Sequence, residues 1–275
     1  MKQTKCRMCG SKNLKTFLDL GKMPLVDLFK TKKDLKKKEK FFPLNVCICT
    51  FCKLVQLGYL VPPKEMFNSN FAWQSSTTKH RTNIYFDMAE EICTRLKLKK
   101  NSLVVDIGSN DGLLLRGFKQ QKMNVLGVDP SSNVAKIAIS KGIDTIIDFF
   151  SPKVASKILK KQGYASVITA TNLFAHVHDY DSFMLGCSKL LSDDGVFVLN
   201  ADDDLIIQEA TNIDANICWF SLDENSPQIS EAKSNGKLCA WMTGNTLIYF
   251  AGKAEISVID IHDIPLAMGG AALYN

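Results

Sequence analysis

The sequence predicts an α/β fold in which a parallel sheet follows a small cysteine-bearing β module and precedes a β-rich tail. Residues 104–112, VVDIGSNDG, are typical of a short strand that enters a tight turn. Residues 124–129, NVLGVD, are typical of a second strand that ends in a carboxylate. Two Cys-x-x-Cys pairs bracket the module, and alternating apolar stretches return after residue 200, which indicates further strands.

The composition is that of an ordinary soluble protein, with 275 residues, 46% hydrophobic and 23% charged. No stretch approaches the length of a membrane span, and the first residues lack the apolar core of a signal peptide. We therefore expect a cytoplasmic location and no membrane partner. In that compartment the nine cysteines are thiols or metal ligands rather than disulfides.

The charge is divided unevenly along the chain. Residues 201–275 carry 11 acids and 3 bases, which leaves 31 bases and 17 acids for residues 1–200. Such polarity favours two modules of different origin. The basic run at 32–40, KKDLKKKEK, lacks interleaved aromatics, so the pattern favours a solvated face over a nucleic-acid partner.

The cysteine pairs predict a structural zinc site made by Cys6, Cys9, Cys49 and Cys52. Each Cys-x-x-Cys turn can present two thiolates, and four thiolates close a tetrahedral Zn²⁺ site that does no chemistry. The alternative is a set of buried free cysteines. Cys47 alternates in phase with its strand and is interpreted as a buried neighbour. The other four cysteines are interpreted as small core residues.

The turn after residue 104 is suited to a ligand. Gly108 and Gly112 permit a positive φ and a close approach of the backbone. Their spacing differs from the dinucleotide fingerprint G-x-G-x-x-G, and the chain has no phosphate-cradling G-x-x-x-x-G-K-[ST] loop, so we expect a ligand without pyrophosphate. Asp129 stands where an α/β nucleotide site hydrogen-bonds ribose. The alternative is an unrelated βαβ turn with structural glycines.

With these two motifs in register, the chain resembles the S-adenosylmethionine-dependent methyltransferases, which have a Rossmann-like parallel sheet. Asp106, Gly108 and Gly112 match the first motif of that family, and Asp129 matches its ribose-binding acid. Asp148 stands where the third strand commonly supplies a contact to adenine. The cofactor contacts implied by the resemblance are Asp106, Gly108, Asn110, Asp111, Gly112, Asp129, Asp148 and Asn172.

Further motifs narrow the resemblance to nucleotide-sugar C-methyltransferases that carry an N-terminal zinc-binding domain. The matching stretches include LDLGKMPL at 18–25, IGSNDGLLL at 107–115 and NLFAHV at 172–177, within a similarity that runs over about 4–199. The resemblance implies methylation of a carbon beside a keto group of a nucleotide-linked deoxysugar. It offers His176 and His178 as candidate bases, because an imidazole titrates near neutral pH. The alternatives are a positioning role for His176 and a solvent-facing His178.

Three departures from the family pattern weaken the prediction of an active enzyme. Phe71 and Trp73 stand where the family usually has tyrosines. The strand predicted at 195–199 is not followed by the Tyr-His-Glu-His-like cluster of the family, and the large C-terminal domain is absent. We therefore expect that the catalytic C-terminal half is missing.

The tail has a different resemblance. The stretches NADDD at 200–204 and WFSLD at 219–223, and the segment 264–275, resemble the central domain of Mur-type ligases, especially cyanophycin synthetases. Without a phosphate loop, ATP-driven ligation is rejected. We expect a hybrid chain whose join lies within 195–200.

The predicted domains are a zinc-binding module at 1–60, an incomplete methyltransferase domain at 61–200 and a ligase-like fragment at 201–275. We expect five parallel strands within 101–200, a bridging helix near 83–96, and a sheet edge that could support self-association. Three functions stay open: a C-methyltransferase, an inactive cofactor-binding hybrid, and a zinc-ribbon nucleic-acid binder.

Overall fold

The computed structural model describes residues 1–26, 32, 34–192, 196–200, 207, 216–250 and 252–260. The chain divides into two compact units, Met1–Ser192 and Asp193–Asn275. Within the described ranges, no helix combines the length and the apolar character needed to cross a bilayer. The predicted segment 264–275 lies outside the described residues.

The first unit begins with an antiparallel sheet of three strands. They are β1 (Leu14–Pro24), β2 (Phe41–Cys49) and β3 (Val55–Leu57), in the order β1-β2-β3. The register pairs Leu14 with Cys49 and contains two irregularities along β1. Every β1 residue after Leu14 is exposed, so this module has little apolar interior of its own.

The second part of the first unit is the parallel sheet. Its strands are β4 (Leu103–Ile107), β5 (Asn124–Val128), β6 (Thr145–Ile146) and β7 (Val167–Thr169), in the order β6-β5-β4-β7. The helices of this unit are α1 (Pro63–Met66), α2 (Lys79–Arg95), α3 (Leu113–Gln120), α4 (Ser132–Ser140), α5 (Pro152–Gln162) and α6 (Tyr180–Leu190). The bridging helix predicted near 83–96 is confirmed as α2. The α/β fold class is also confirmed.

An apolar core stabilises the parallel sheet. All five residues of β4 are buried, as expected for a central parallel strand covered on both faces. Phe118, Leu114 and Leu115 of α3 pack with Val104 and Ile143 in one apolar cluster. Burial of this α3 face holds the helix start, and therefore the preceding loop, at the carboxyl end of β4.

The second unit contains a separate mixed sheet. Its strands are β8 (Val196–Asn200), β9 (Asn216–Ser221), β10 (Cys239–Thr243), β11 (Thr246–Phe250) and β12 (Glu255–Asp260), and they lie side by side in chain order. The helix α7 (Pro227–Ser234) belongs to the same unit. The β-rich tail is therefore confirmed. The expectation of five parallel strands in one sheet is wrong for the described residues, because β8 pairs with β9 rather than with β7. Strand pairing is a long-range choice that the apolar run at 196–199 does not encode.

Candidate cofactor and metal sites

The four predicted zinc ligands meet in one cluster. The sulfur atoms of Cys6, Cys9, Cys49 and Cys52 all lie within 4.8 Å of one another. The Cys6 and Cys52 sulfurs are 3.5 Å apart, and those of Cys9 and Cys49 are 3.7 Å apart. Four converging thiols suit tetrahedral Zn²⁺, so the donor set fits the metal.

Both cysteine turns have the same backbone construction. The residue after the second cysteine is left-handed in each, with φ of 68° at Gly10 and 65° at Lys53. Their N–H groups donate to the carbonyls of Cys6 and Cys49, at 3.1 and 2.9 Å. Backbone hydrogen bonds, foremost from the N–H of Cys52, lower the pKa of the Cys49 thiol to about 6. The local fold therefore favours a thiolate at this position.

Cys47 lies outside the four-sulfur cluster. Its side chain is buried, and its sulfur is 3.2 Å from the Thr16 hydroxyl oxygen. The interpretation of Cys47 as a buried neighbour is confirmed. Cys187, Cys218 and Cys239 are buried as expected, and Cys93 is partly buried.

The loop from β4 to α3 is a series of left-handed turns. Gly108, Asn110 and Gly112 have φ of 73°, 51° and 73°. A Cβ atom on Gly112 would lie 3.1 Å from the Ala138 Cβ atom, so the loop closes tightly against α4. The backbone demand for glycine at positions 108 and 112 is thus both conformational and steric.

Asp129, at the end of β5, fixes this loop from the side. One carboxylate oxygen accepts the Asn110 N–H at 2.8 Å, and the other accepts the Ser131 N–H at 2.7 Å. The side chain is only 5% exposed, and burial raises the pKa of its carboxyl above the usual value. Asp129 also lines the cavity described below, and an ionised carboxylate has further lone pairs that can accept ligand hydroxyls.

Asp106 is the second buried acid beside the loop. Its carboxylate accepts the Thr169 hydroxyl at 2.7 Å. Burial, with a smaller contribution from the nearby charge of Asp129, raises the pKa of Asp106 to about 7. Two acids that would repel each other if both were ionised therefore share this sheet edge.

The loop and the two acids border a cavity of about 580 Å³ at the carboxyl ends of the strands. An open α/β sheet places its ligand in this position. Aromatic side chains from positions 67, 71, 73, 149 and 150 supply apolar surface for a flat base. The predicted site residues that line the cavity are Asp106, Gly108, Asn110, Asp129, Asn172, His176 and His178.

Three predicted cofactor contacts are not part of that lining. Gly112 acts in the backbone turn, as described above. Asp148 is exposed and accepts the N–H of Phe149 at 2.8 Å, while the Phe149 side chain itself borders the cavity. Asp111 is fully buried, and its role is in the contacts below. The cofactor roles assigned to these residues stay predictions.

Asp111 anchors the segment 71–76, here called the strap. Its carboxylate accepts hydrogen bonds from the Ser76 hydroxyl and from Gln74 Nε2 at 3.3 Å, and pairs with Lys141 at 3.2 Å. Burial alone would raise the pKa of Asp111, but the Ser76 hydrogen bond and the Lys141 charge outweigh it and lower the pKa.

Asn110 and Asn133 bind the backbone of the strap. Asn110 accepts the N–H of Ser75 at 2.9 Å and donates to the carbonyl of Trp73 at 3.0 Å. Asn133 donates to the carbonyl of Phe71 at 2.7 Å. Sequence reasoning noted Phe71 and Trp73 only as departures from tyrosine. The sequence signal that could have indicated these contacts is the adjacent polar pair, Asn110 and Asp111, within a glycine-rich loop.

The two candidate bases lie on one wall of the cavity. His176 ends a short 3₁₀ turn, and its ring lies edge-on to Phe67 with centroids 6.2 Å apart. His178 is half-buried, and its Nδ1 has no hydrogen-bond partner among the described residues. Burial, followed by the positive charge of Arg7, lowers the pKa of His178. A neutral imidazole at this position is able to accept a proton.

The basic run at 32–40 has acidic partners. Lys37 pairs with Asp34 at 2.7 Å, and Lys40 pairs with Glu65 at 2.8 Å. All four side chains are substantially solvent-exposed, which is consistent with the interpretation of this run as a solvated face.

Comparison with known proteins identifies families that match the cysteine module and the region that follows it. Residues 6–67 match the family described as "Putative zinc binding domain", and residues 79–247 match the family described as "Methyltransferase domain". The C-methyltransferase NovU of Streptomyces niveus is 31% identical over 192 residues, which span 70% of this chain and 46% of that protein.

Two further similarities are more restricted. A cyanophycin synthetase of Geminocystis herdmanii is 32% identical over 85 residues, which span 31% of this chain and 10% of that protein. A crystal structure of a SAM-dependent methyltransferase from Archaeoglobus fulgidus has a TM-score of 0.35 and 15% identity, covering 42% of this chain and 50% of that one. The methyltransferase match alone extends over more than half of the sequence, so the chain belongs to the methyltransferase-domain family and carries a zinc-binding domain before it.

Proposed function

We propose that this chain binds S-adenosylmethionine in the cavity and methylates a carbon beside the keto group of a nucleotide-linked deoxysugar. The observation that carries this proposal is the Asp129 carboxylate, which lies on the cavity wall and holds the N–H of Asn110 at 2.8 Å. One side chain thereby fixes the glycine loop and offers acceptors to ribose hydroxyls. Zn²⁺ on the four cysteines has a structural role.

The cofactor would supply an electrophilic methyl group, whose bond to sulfur breaks and leaves its electron pair on the sulfur of a neutral thioether. The chain must remove a proton from the accepting carbon, so that the electron pair left on that carbon can form the new C–CH₃ bond. His176 and His178 both border the cavity, and a neutral imidazole can accept the proton. Phe67 and Phe71 border the same cavity and give it apolar surface.

The sugar substrate is supported by the resemblance over about 4–199 and by the similarity to a protein named as a C-methyltransferase. The test of this part is product formation with a nucleotide-linked keto-deoxysugar. A methylated sugar that is lost in His176→Gln or His178→Gln supports the proposal and identifies the base. Methylation that survives both substitutions contradicts the assignment of these residues.

A second candidate is a hybrid that binds the cofactor without turnover. Two observations favour it: the similarity to a cyanophycin synthetase, and the pairing of Val196–Asn200 with Asn216–Ser221 in the sheet of the second unit. This hybrid gives cofactor binding with no product. Three further predictions apply to the chain under either candidate function. They are a cytoplasmic location, the domain bounds 1–60, 61–200 and 201–275, and self-association through a sheet edge.

Calorimetric titration of the zinc-loaded chain with S-adenosylhomocysteine tests cofactor binding, which both candidates share. We expect Asp129→Asn to weaken binding by about tenfold or more, because it removes charge and one acceptor at the ribose position. Asp144→Asn is the matched control, since it makes the same chemical change at an exposed carboxylate that is neither in the cavity lining nor among the predicted cofactor contacts. Equal weakening in both variants, or no binding by the folded wild type, contradicts the proposed site.

A further inference from the structure

Arg7 connects the first cysteine turn to the wall of the cavity. It lies between Cys6 and Cys9 in the chain, and its guanidinium contacts residues of the segment 177–180. Nη2 donates a hydrogen bond to the carbonyl of Val177, and the guanidinium carbon lies 4.6 Å from the ring centroid of Tyr180. A planar guanidinium can stack on the ring and donate in its plane to the carbonyl at the same time.

The backbone of Arg7 is fixed independently of its side chain. Its N–H donates to Gln56 Oε1 at 2.9 Å, and Gln56 Nε2 donates to the carbonyl of Lys5 at 3.4 Å. Gln56 is only 7% exposed and belongs to β3. The turn that holds the metal ligands therefore also sets the position from which the Arg7 side chain starts.

Val177 is the residue between the two candidate bases. His176 and His178 both border the cavity, so an anchor on the Val177 carbonyl restricts the orientation of both rings. We propose that Arg7 is a positioning residue that couples the metal-bound state of the cysteine turn to the placement of His176 and His178. This inference rests on the zinc part of the proposed function and requires neither cofactor binding nor methyl transfer.

A second connection exists, because Phe67 packs against His176 with ring centroids 6.2 Å apart. Among the described residues, no aromatic ring packs against the imidazole of His178 and Arg7 is the nearby side-chain charge that acts on it, so His178 is the cleaner reporter. His80, on the exposed surface of α2, is an internal reference in the same sample.

The test is NMR of the full chain with labelled histidine, recorded with zinc bound and after chelation. Peaks of the four histidines are assigned with His80→Gln, His176→Gln and His178→Gln. In the wild type, removal of zinc should shift the His178 peak and leave the His80 peak unmoved. In Arg7→Gln the zinc-dependent shift of His178 should be lost, with bound zinc in the loaded sample equal to that of the wild type.

A second variant tests the contact of the Arg7 guanidinium with the ring of Tyr180. Tyr180→Leu removes the ring that the guanidinium contacts, at a residue that belongs to neither the cysteine turn nor the cavity lining, and Tyr180→Phe keeps that ring as its control. We expect a reduced zinc-dependent shift in Tyr180→Leu and a wild-type shift in Tyr180→Phe. Lys12→Gln controls for loss of a module charge at an exposed site.

The inference is overturned if Arg7→Gln keeps the full zinc-dependent shift of His178, or if the wild type shows none. Because the readout is a histidine peak and the ligand is zinc, this outcome is independent of the S-adenosylhomocysteine titration. A chain that fails to bind S-adenosylhomocysteine but shows the coupled shift contradicts the cofactor proposal and leaves the role of Arg7 standing.

Discussion

The cysteine module and the parallel sheet are two regions of one compact unit that are held together by different means. In the sheet, all five residues of Leu103–Ile107 are buried and Phe118 is fully enclosed. In the module, every residue of Leu14–Pro24 after the first is exposed, and the buried groups near it are chiefly cysteines. The difference teaches that an apolar core supports the loop Asp106–Gly112, whereas the cysteine turns have little apolar support and, on the proposed zinc site, depend on metal ligation.

Removal of zinc should have the largest effect on the difference between the two regions. Structural zinc sites of this type contribute about 10 kcal/mol of apparent binding free energy, which becomes folding free energy. We expect chelation, or Cys49→Ser, to expose the backbone amides of Phe41–Cys49 while those of Leu103–Ile107 stay protected from hydrogen exchange. Cys47→Ser is the matched control and should retain zinc. Equal loss of protection in both regions would contradict the account.

The converse change removes apolar packing from the sheet. Phe118→Ala should lower the free energy of unfolding by about 3–5 kcal/mol, because it leaves a cavity in a fully buried cluster. Phe17 is 57% exposed on β1, so Phe17→Ala should cost less than about 0.5 kcal/mol. Urea unfolding measures both. Similar costs for the two substitutions would show that the regions are not supported differently.

A smaller effect concerns the buried acid of the sheet. Because burial raises the pKa of Asp106 to about 7, the folded state holds its proton more tightly than the unfolded state. Stability should therefore fall as pH rises from the unfolded value of about 3.9 towards 7, by on the order of 2 kcal/mol between about pH 5 and about pH 7.

Asp106→Asn should remove most of that slope, because an amide does not titrate in this range. The amide oxygen can still accept the Thr169 hydroxyl, so this hydrogen bond is kept. Asp129, whose carboxyl pKa burial also raises, should leave a weaker slope of the same sign. Urea midpoints across this pH range are the measurement. An unchanged slope in Asp106→Asn would remove Asp106 as its source.

The comparison also separates what the sequence could and could not predict. The Asp106–Gly112 turn, the position of Asp129 after its strand and the two cysteine turns follow from local spacing, because each depends on the backbone within a few residues. The bonds from Asn110 and Asp111 to the strap, the contact of Arg7 with Val177 and the pairing of Val196–Asn200 with β9 are long-range. Tertiary packing selects such partners, and no short pattern records them.

We propose above all that the loop Asp106–Gly112 and Asp129 form the cofactor site, separate from the cysteine module. Hydrogen–deuterium exchange of the zinc-loaded chain, with and without S-adenosylhomocysteine, tests it most directly. The account predicts added protection at the amides of Gly108–Gly112 and Asp129–Ser131, with no change along Leu14–Pro24. Protection confined to the module, or none under saturating ligand, would contradict it.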